Sequence, residues 1–223
     1  MQAAGLAVVV RSDGASEAVR VEVEPTDALI DAPLRLEVDG ARTGEPIRLG
    51  LSAASADGVH WTGSRAVPVD GSGAVSVDGG ALLASLRPRG VPDTPKLGLV
   101  PPDGVLALRL DARQGDRALG TAVTTRRMVG PGVSARELTV PRNGLAGRYW
   151  MGPAGDRRSV AVLSVGGSQG GYGNPWKAAL LASHGYPVLQ LAYFRAPGLP
   201  RELHSIGSGT SNGRSGGFTP GRA

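Results

Sequence analysis

The sequence predicts a two-sheet β-sandwich followed by the opening of an α/β domain. From Val19 to Arg126, short runs alternate apolar and polar residues with a period of two, separated by turn formers. From Ser159 to Leu203 the pattern changes to apolar run, glycine loop, helix, apolar run. Period two with one apolar face marks half-buried antiparallel strands, whereas two apolar runs joined through a helix mark parallel ones.

The alternating runs are Val19-Val21-Val23, Leu34-Leu36-Val38, Ile47-Leu49-Leu51, Val67-Val69, Val75-Val77 and Leu106-Leu108-Leu110. Between them lie Asp57-Gly58, Asp70-Gly71, Asp78-Gly79-Gly80 and Pro101-Pro102-Asp103-Gly104, residues that supply tight or left-handed backbone. Seven or so strands at this spacing describe an immunoglobulin-like sandwich over residues 16–130. Trp61 is expected in its core, and His60 on the opposite, solvated face. No catalytic constellation falls in this region.

Glycine and proline at Val129 to Val133 interrupt both patterns, so a join is expected there. Arg136–Val140 and Gly147–Met151 read as two leading strands, and Val160–Val165 as a strand buried on both faces. Asn174-Pro175 is a helix start, because the Asn side chain accepts from free amides and proline fits the first turn. In the helix that follows, Trp176, Ala179, Leu180 and Ser183 share one face. Gly185 sits where a left-handed cap is wanted, and Pro187–Phe194 supplies the next buried strand. Antiparallel leading strands followed by parallel ones are how an α/β-hydrolase sheet begins, here over residues 131–206.

The chain has no cysteine, which excludes disulfides, thiolate metal sites and a cysteine nucleophile within it. Its net charge of +5 comes almost entirely from scattered arginines, with Arg126-Arg127 and Arg157-Arg158 the tightest groups. Nucleic-acid binding is not expected, since three Trp, four Tyr and two Phe give few stacking groups. No run approaches the ~20 apolar residues of a membrane span. Gly5–Val10 is too short for a secretory core and lacks a basic lead, so a cytoplasmic location is expected. No His, Asp and Glu cluster suggests a metal, and no cofactor is expected.

Gly166-Gly167-Ser168-Gln169-Gly170 satisfies G-x-S-x-G, the nucleophile-elbow pattern. In an elbow the helix begins directly after the serine, but here Gln169 to Gly173 separate Ser168 from the Asn174 cap. Downstream, the only acidic residue is Glu202 and the only histidines are His184 and His204. Ser168 is therefore disfavoured as a nucleophile. His184, beside the helix C-terminus, suits the dipole there rather than catalysis. Gly166, Gly167, Ser168, Gln169 and Gly170 read better as a loop after an early sheet strand. In α/β-hydrolases that loop gives one backbone N–H to the oxyanion hole. A plain glycine-rich connection remains the competing reading.

The runs GGSQGG and LLASHGYPVLQLAYFRAPGLPREL resemble the acyl-CoA thioesterase and bile acid-CoA:amino acid N-acyltransferase family. VRVEVEPTDALIDAPLRLEVDG, HWTGSRAV and DGSGAVSVD resemble that family's N-terminal immunoglobulin-like domain. The resemblance covers Ala18 to Ile206, and its weight comes from two matching domains in the right order. It implies acyl-CoA as substrate and transfer of the acyl group to water or an amine by a serine or cysteine backed by histidine and aspartate. Only Gly166–Gly170 carries over as a site segment, and the triad is expected beyond Ile206. The tail 207–223 is rich in Gly and Ser, reads as disordered and looks like linker-like or out-of-frame sequence. The expectation is therefore of an incomplete, inactive hydrolase domain, with self-association through its exposed sheet. A non-catalytic remnant or binding module built on the sandwich is the alternative.

Overall fold

The computed structural model describes residues 19–56, 58–90 and 99–203. Gly5–Val10, Asp57, His204 and the tail 207–223 lie outside the described residues. The chain divides into two compact units, Met1–Met128 and Val129–Ala223.

In the first unit, residues that alternate in sequence alternate in burial. Its strands are β1 (Arg20–Glu24), β2 (Asp27–Leu29), β3 (Arg35–Asp39), β4 (Ile47–Ala54), β5 (His60–Val67), β6 (Val75–Asp78), β7 (Arg87–Pro88), β8 (Val105–Gln114) and β9 (Arg117–Arg127). They form a three-stranded sheet, β1-β3-β6, and a six-stranded sheet, β2-β9-β8-β4-β5-β7. All pairings are antiparallel except β2 with β9, which run parallel. Val21, Val23, Leu36, Val38 and Val75 from the smaller sheet share one apolar core with Ile47, Leu49, Leu51, Trp61, Leu106, Leu108 and Leu110 from the larger. Removing these side chains from water is the main favourable term for this unit. Trp61 is wholly buried and His60 exposed.

Two features of this unit escape the alternation. A one-turn helix, α1 (Gly80–Ala84), follows the Asp78-Gly79-Gly80 turn and buries Leu82. Five residues are too few for a helical period to show. The Arg126-Arg127 pair is not a basic patch. Arg126 points inward at 1% exposure, while Arg127 donates from Nε and Nη2 to the Asp27 carboxylate at 2.7 and 2.6 Å. This pair ties β2 to β9.

The second unit holds β10 (Ser134–Leu138), the short helix α2 (Val140–Asn143), β11 (Ala146–Met151), β12 (Val162–Val165), α3 (Pro175–Ser183) and β13 (Val188–Ala192). The sheet order is β10-β11-β13-β12. β10 with β11 and β11 with β13 are antiparallel, and β12 with β13 is parallel. The first leading strand ends two residues earlier than its sequence suggests, because Thr139-Val140-Pro141 starts α2.

At α3, Asn174 Oδ1 accepts from the Trp176 amide at 2.9 Å and Pro175 occupies the first turn. Gly185 adopts φ +84°, as a left-handed cap requires. The buried residues of α3 are Ala178, Ala179 and Ala182; of Trp176, Ala179, Leu180 and Ser183, which share one face, Ala179 is buried and the other three are half-buried. Methyl groups let the helix approach the sheet at Trp150, Val162 and Val188.

The expectation that Val160–Val165 is buried on both faces does not hold. Val160, Leu163 and Val165 are 62%, 60% and 54% exposed. β12 is an edge strand, and Val162 alone of its apolar residues packs toward α3. Leu163 and Val165 point to the other face, beside their register partners Leu189 and Leu191.

Arg127 holds the Asp27 carboxyl below its usual range, chiefly by hydrogen bonding. A carboxylate with a lowered folded pKa adds stability above its unfolded pKa and loses it as pH falls through the folded value. We expect Asp27→Asn to lower stability at neutral pH and to flatten the acid limb of the stability–pH curve below the ordinary carboxylate pKa of 3.8, so that parent and variant converge at low pH. Urea denaturation across pH measures this.

Candidate functional site

The candidate site forms where β12 and β13 end. Residues beyond β12 must turn sharply to enter α3, and the sequence supplies glycine wherever the backbone needs it. Gly170, Gly171 and Gly173 take φ of +72°, +67° and +74°. At Gly170 an added Cβ would lie 2.8 Å from Arg195 Cβ and 2.9 Å from Phe194 Cε2. Conformation and space both exclude a side chain there.

The loop is fastened to β13 and the residues just after it through both carbonyl and amide groups. The Tyr193 hydroxyl donates to Gly166 O at 3.0 Å, with Gly167 O at 3.3 Å beside it. The Gly170 amide donates to Gly167 O at 3.0 Å, and the Gly171 amide to Phe194 O at 2.8 Å. The end of the loop is held by Gln190, in the middle of β13 and 1% exposed. Its Nε2 donates to Tyr172 O at 3.1 Å and Asn174 O at 2.8 Å, and its Oε1 accepts from Trp150 Nε1 at 2.7 Å. A buried carboxamide with all these bonds made is a rigid tie, and each bond left open would carry a desolvation cost.

These ties leave the amides of Gly167, Ser168 and Gln169 without an acceptor among the described residues. Consecutive free N–H groups beyond a parallel strand can stabilise a developing negative charge on oxygen. The region is otherwise modestly charged. Arg148 stacks 5.5 Å from the Tyr172 ring centre and 5.9 Å from that of Trp150. The Tyr172 phenol bonds to Glu137 Oε1 at 3.1 Å. Burial, then Glu137, pushes its pKa above the usual value, with Arg148 opposing.

Of the sequence-predicted residues, Gly166, Gly167, Ser168, Gln169 and Gly170 lie together in this loop. Ser168 is exposed, and its hydroxyl has no hydrogen-bond partner among the described residues. Five residues separate it from Asn174, so it sits on loop backbone and not at a helix N-terminus. His184 is exposed at the far end of α3, about 15 Å along the helix from Asn174 at 1.5 Å per residue. Glu202 lies on the rim of a depression after β13. Among the described residues no group of three His, Cys, Asp or Glu could hold a metal ion, and no helix is long and apolar enough to cross a membrane.

The residues that sequence reasoning missed are Gln190, Tyr193 and Arg195. Gln190 had a visible signal, a lone amide inside the apolar run PVLQLAYF. Arg195 had none. It adopts φ +53°, the one positive-φ residue other than glycine among the described residues.

The chain is 29% identical to mouse acyl-coenzyme A thioesterase 6 over 206 residues, covering 85% of this chain and 48% of that protein. It is 27% identical to the human acyl-coenzyme A thioesterase 6 over 192 residues, covering 79% and 45%. It is also 27% identical to mouse peroxisomal succinyl-coenzyme A thioesterase over 206 residues, covering 85% and 48%. No protein-family model matches it. The expected relationship to acyl-CoA thioesterases is therefore found over more of the chain than either unit alone occupies. The chain spans about half the length of the curated relatives it matches.

Gln190→Leu keeps the approximate volume but strands Trp150 Nε1 and the Tyr172 and Asn174 carbonyls. We expect it to destabilise the second unit by about 2–4 kcal/mol, read by urea denaturation. The Trp150 environment should change in the fluorescence spectrum before global unfolding. An unchanged midpoint would remove Gln190 from the account.

Proposed function

We propose that this chain, a relative of the acyl-CoA thioesterases over most of its length, serves acyl-CoA thioester chemistry. The acyl group passes to water or to an amino acid, within fatty acyl-CoA metabolism in the cytoplasm. In this reading, residues 16–130 are an immunoglobulin-like sandwich, residues 131–206 the first part of an α/β-hydrolase domain and residues 207–223 a disordered tail. Gly166–Gly170 forms the oxyanion side of the site. The observation that carries the reading is the fastened loop with unpaired amides at Gly167, Ser168 and Gln169. Such donors act on the charge that develops on the thioester oxygen as a nucleophile attacks the carbonyl, and they are already oriented when it appears.

The loop provides one wall of a site. Attack requires a nucleophile next to a base that a third group orients, and the described residues hold no such set around Ser168. The polypeptide Met1–Ala223 by itself is accordingly proposed to be inactive. The same observation favours a second reading, a non-catalytic binding module built on the sandwich. The two separate on ligand binding: the first requires acyl-CoA to bind at the second unit.

Purified protein mixed with palmitoyl-CoA and a thiol-reactive dye tests the assignment of Ser168. We expect no release above buffer, and Ser168→Ala to be indistinguishable from the parent. Turnover that disappears in Ser168→Ala would make Ser168 the nucleophile and overturn the reading.

Self-association is proposed through β12, an edge strand with exposed Leu163 and Val165. Unpaired strand edges with apolar side chains favour pairing with another chain. Sedimentation velocity should show a concentration-dependent dimer that Leu163→Glu removes. A monomer at all concentrations would refute this.

A further inference from the structure

A residue other than glycine held at positive φ is costly and persists only where its surroundings fix it. At Arg195 the surroundings do so. Its amide donates to Pro200 O at 2.8 Å, and the Leu199 amide to Ala196 O at 3.0 Å, closing the loop after β13 on itself. The result is to aim the guanidinium sideways, toward the neighbouring glycine loop. Nε donates to Arg201 O at 3.2 Å and Nη1 makes a long 3.5 Å bond to Gln169 O, while Nη2 has no acceptor among the described residues.

Arg195 and Arg201 line an open depression of about 640 Å³, with Glu202 on the same rim. Two guanidinium groups against one carboxylate leave it a formal charge of +1. It lies outside the carboxyl ends of two parallel strands, β12 and β13, where open α/β sheets take their ligands. With Nε and Nη1 each bonded to a backbone carbonyl, the guanidinium is fixed in orientation and Nη2 keeps its N–H groups for a carboxylate oxygen.

We infer that Arg195 is a specificity residue that binds a carboxylate close to the reacting thioester, as opposed to a phosphate of CoA. The inference rests on the acyl-CoA reading above and follows from proximity. Arg195 bonds to Gln169 within the proposed oxyanion loop, whereas the phosphates of CoA lie at the far end of the pantetheine arm. A carboxylate this near the thioester comes from one of two sources: the far end of a short dicarboxylic acyl chain, or an amino acid acceptor.

Because Met1–Ala223 is proposed not to turn over, binding can be measured at equilibrium. Isothermal titration compares succinyl-CoA with butyryl-CoA, and glycine added to the butyryl-CoA complex. The test variant is Arg195→Asn, since Asn tolerates left-handed backbone while removing the charge. Arg195→Lys, which keeps the charge without the fork, is its companion. Circular dichroism and the urea midpoint establish that both variants fold.

If the carboxylate is on the acyl chain, succinyl-CoA binds about tenfold tighter than butyryl-CoA. Arg195→Asn then abolishes the preference, and Arg195→Lys restores only part of it. If the carboxylate is the acceptor's, the two acyl-CoAs bind alike and glycine binding is lost in Arg195→Asn. Equal acyl-CoA affinities with no Arg195-dependent glycine binding overturn the inference and leave the acyl-CoA reading standing. Failure of either acyl-CoA to bind the parent overturns that reading and the inference with it.

Discussion

The second unit depends on one buried side chain. Gln190 lies in the middle of a strand that is otherwise apolar, where an unpaired carboxamide would be strongly unfavourable. Its oxygen is taken by the Trp150 indole of β11, and its nitrogen by two carbonyls at the end of the glycine loop. One side chain thus connects two strands of the sheet to the entry of α3. The alanines of α3 complete the arrangement. Ala178, Ala179 and Ala182 bring the helix close enough to cover Trp150 and Val188, and the small side chains lose little entropy on burial.

From that tie the properties of the loop follow. Gln190 fixes its exit, and Tyr193 with the Phe194 carbonyl fixes its entrance and middle. A flexible loop of eight residues containing five glycines (Gly166 to Gly173) would ordinarily sample many conformations. Here the carbonyls of Gly166, Gly167, Gln169 and Tyr172 and the amides of Gly170 and Gly171 are hydrogen-bonded, while the consecutive amides of Gly167, Ser168 and Gln169 have no acceptor among the described residues. Preorganisation of this kind gives donors their value in catalysis, because no reorganisation is needed as charge appears. The first unit uses a related device for another end. Gln114, the last inward position of β8, accepts from the Arg42 amide and donates to the Arg42 and Glu45 carbonyls, closing one end of that core.

Much of this architecture is legible in the sequence where the determinant is local. The alternation in β8 gives Leu106, Leu108 and Leu110 inward without knowledge of any partner strand. Asn174-Pro175 and Gly185 announce both ends of α3 through backbone chemistry alone. What depends on neighbours is not legible. β12 has the composition of a strand buried on both faces, yet its exposure is set by which elements cover it. The burying face of α3 is chosen by how closely the helix must approach the sheet, which favours Ala178 and Ala182 over the larger Trp176 and Leu180. The G-x-S-x-G pattern marks the right loop, and the spacing to Asn174 argues against a serine nucleophile. The fastening by Gln190 and the left-handed Arg195 are tertiary facts, and only the lone polar residue in PVLQLAYF hints at the first.

The central claim is that hydrogen bonds to β13 and the residues just after it hold the loop, while the amides of Gly167, Ser168 and Gln169 have no acceptor among the described residues. Site-resolved amide hydrogen exchange by NMR measures this directly. The account predicts slowed exchange at Gly170 and Gly171, whose amides are bonded to Gly167 and Phe194 carbonyls. At Gly167, Ser168 and Gln169 it predicts rates close to those of an unstructured peptide. Protection of those three amides, or equally fast exchange along the whole loop, would contradict it.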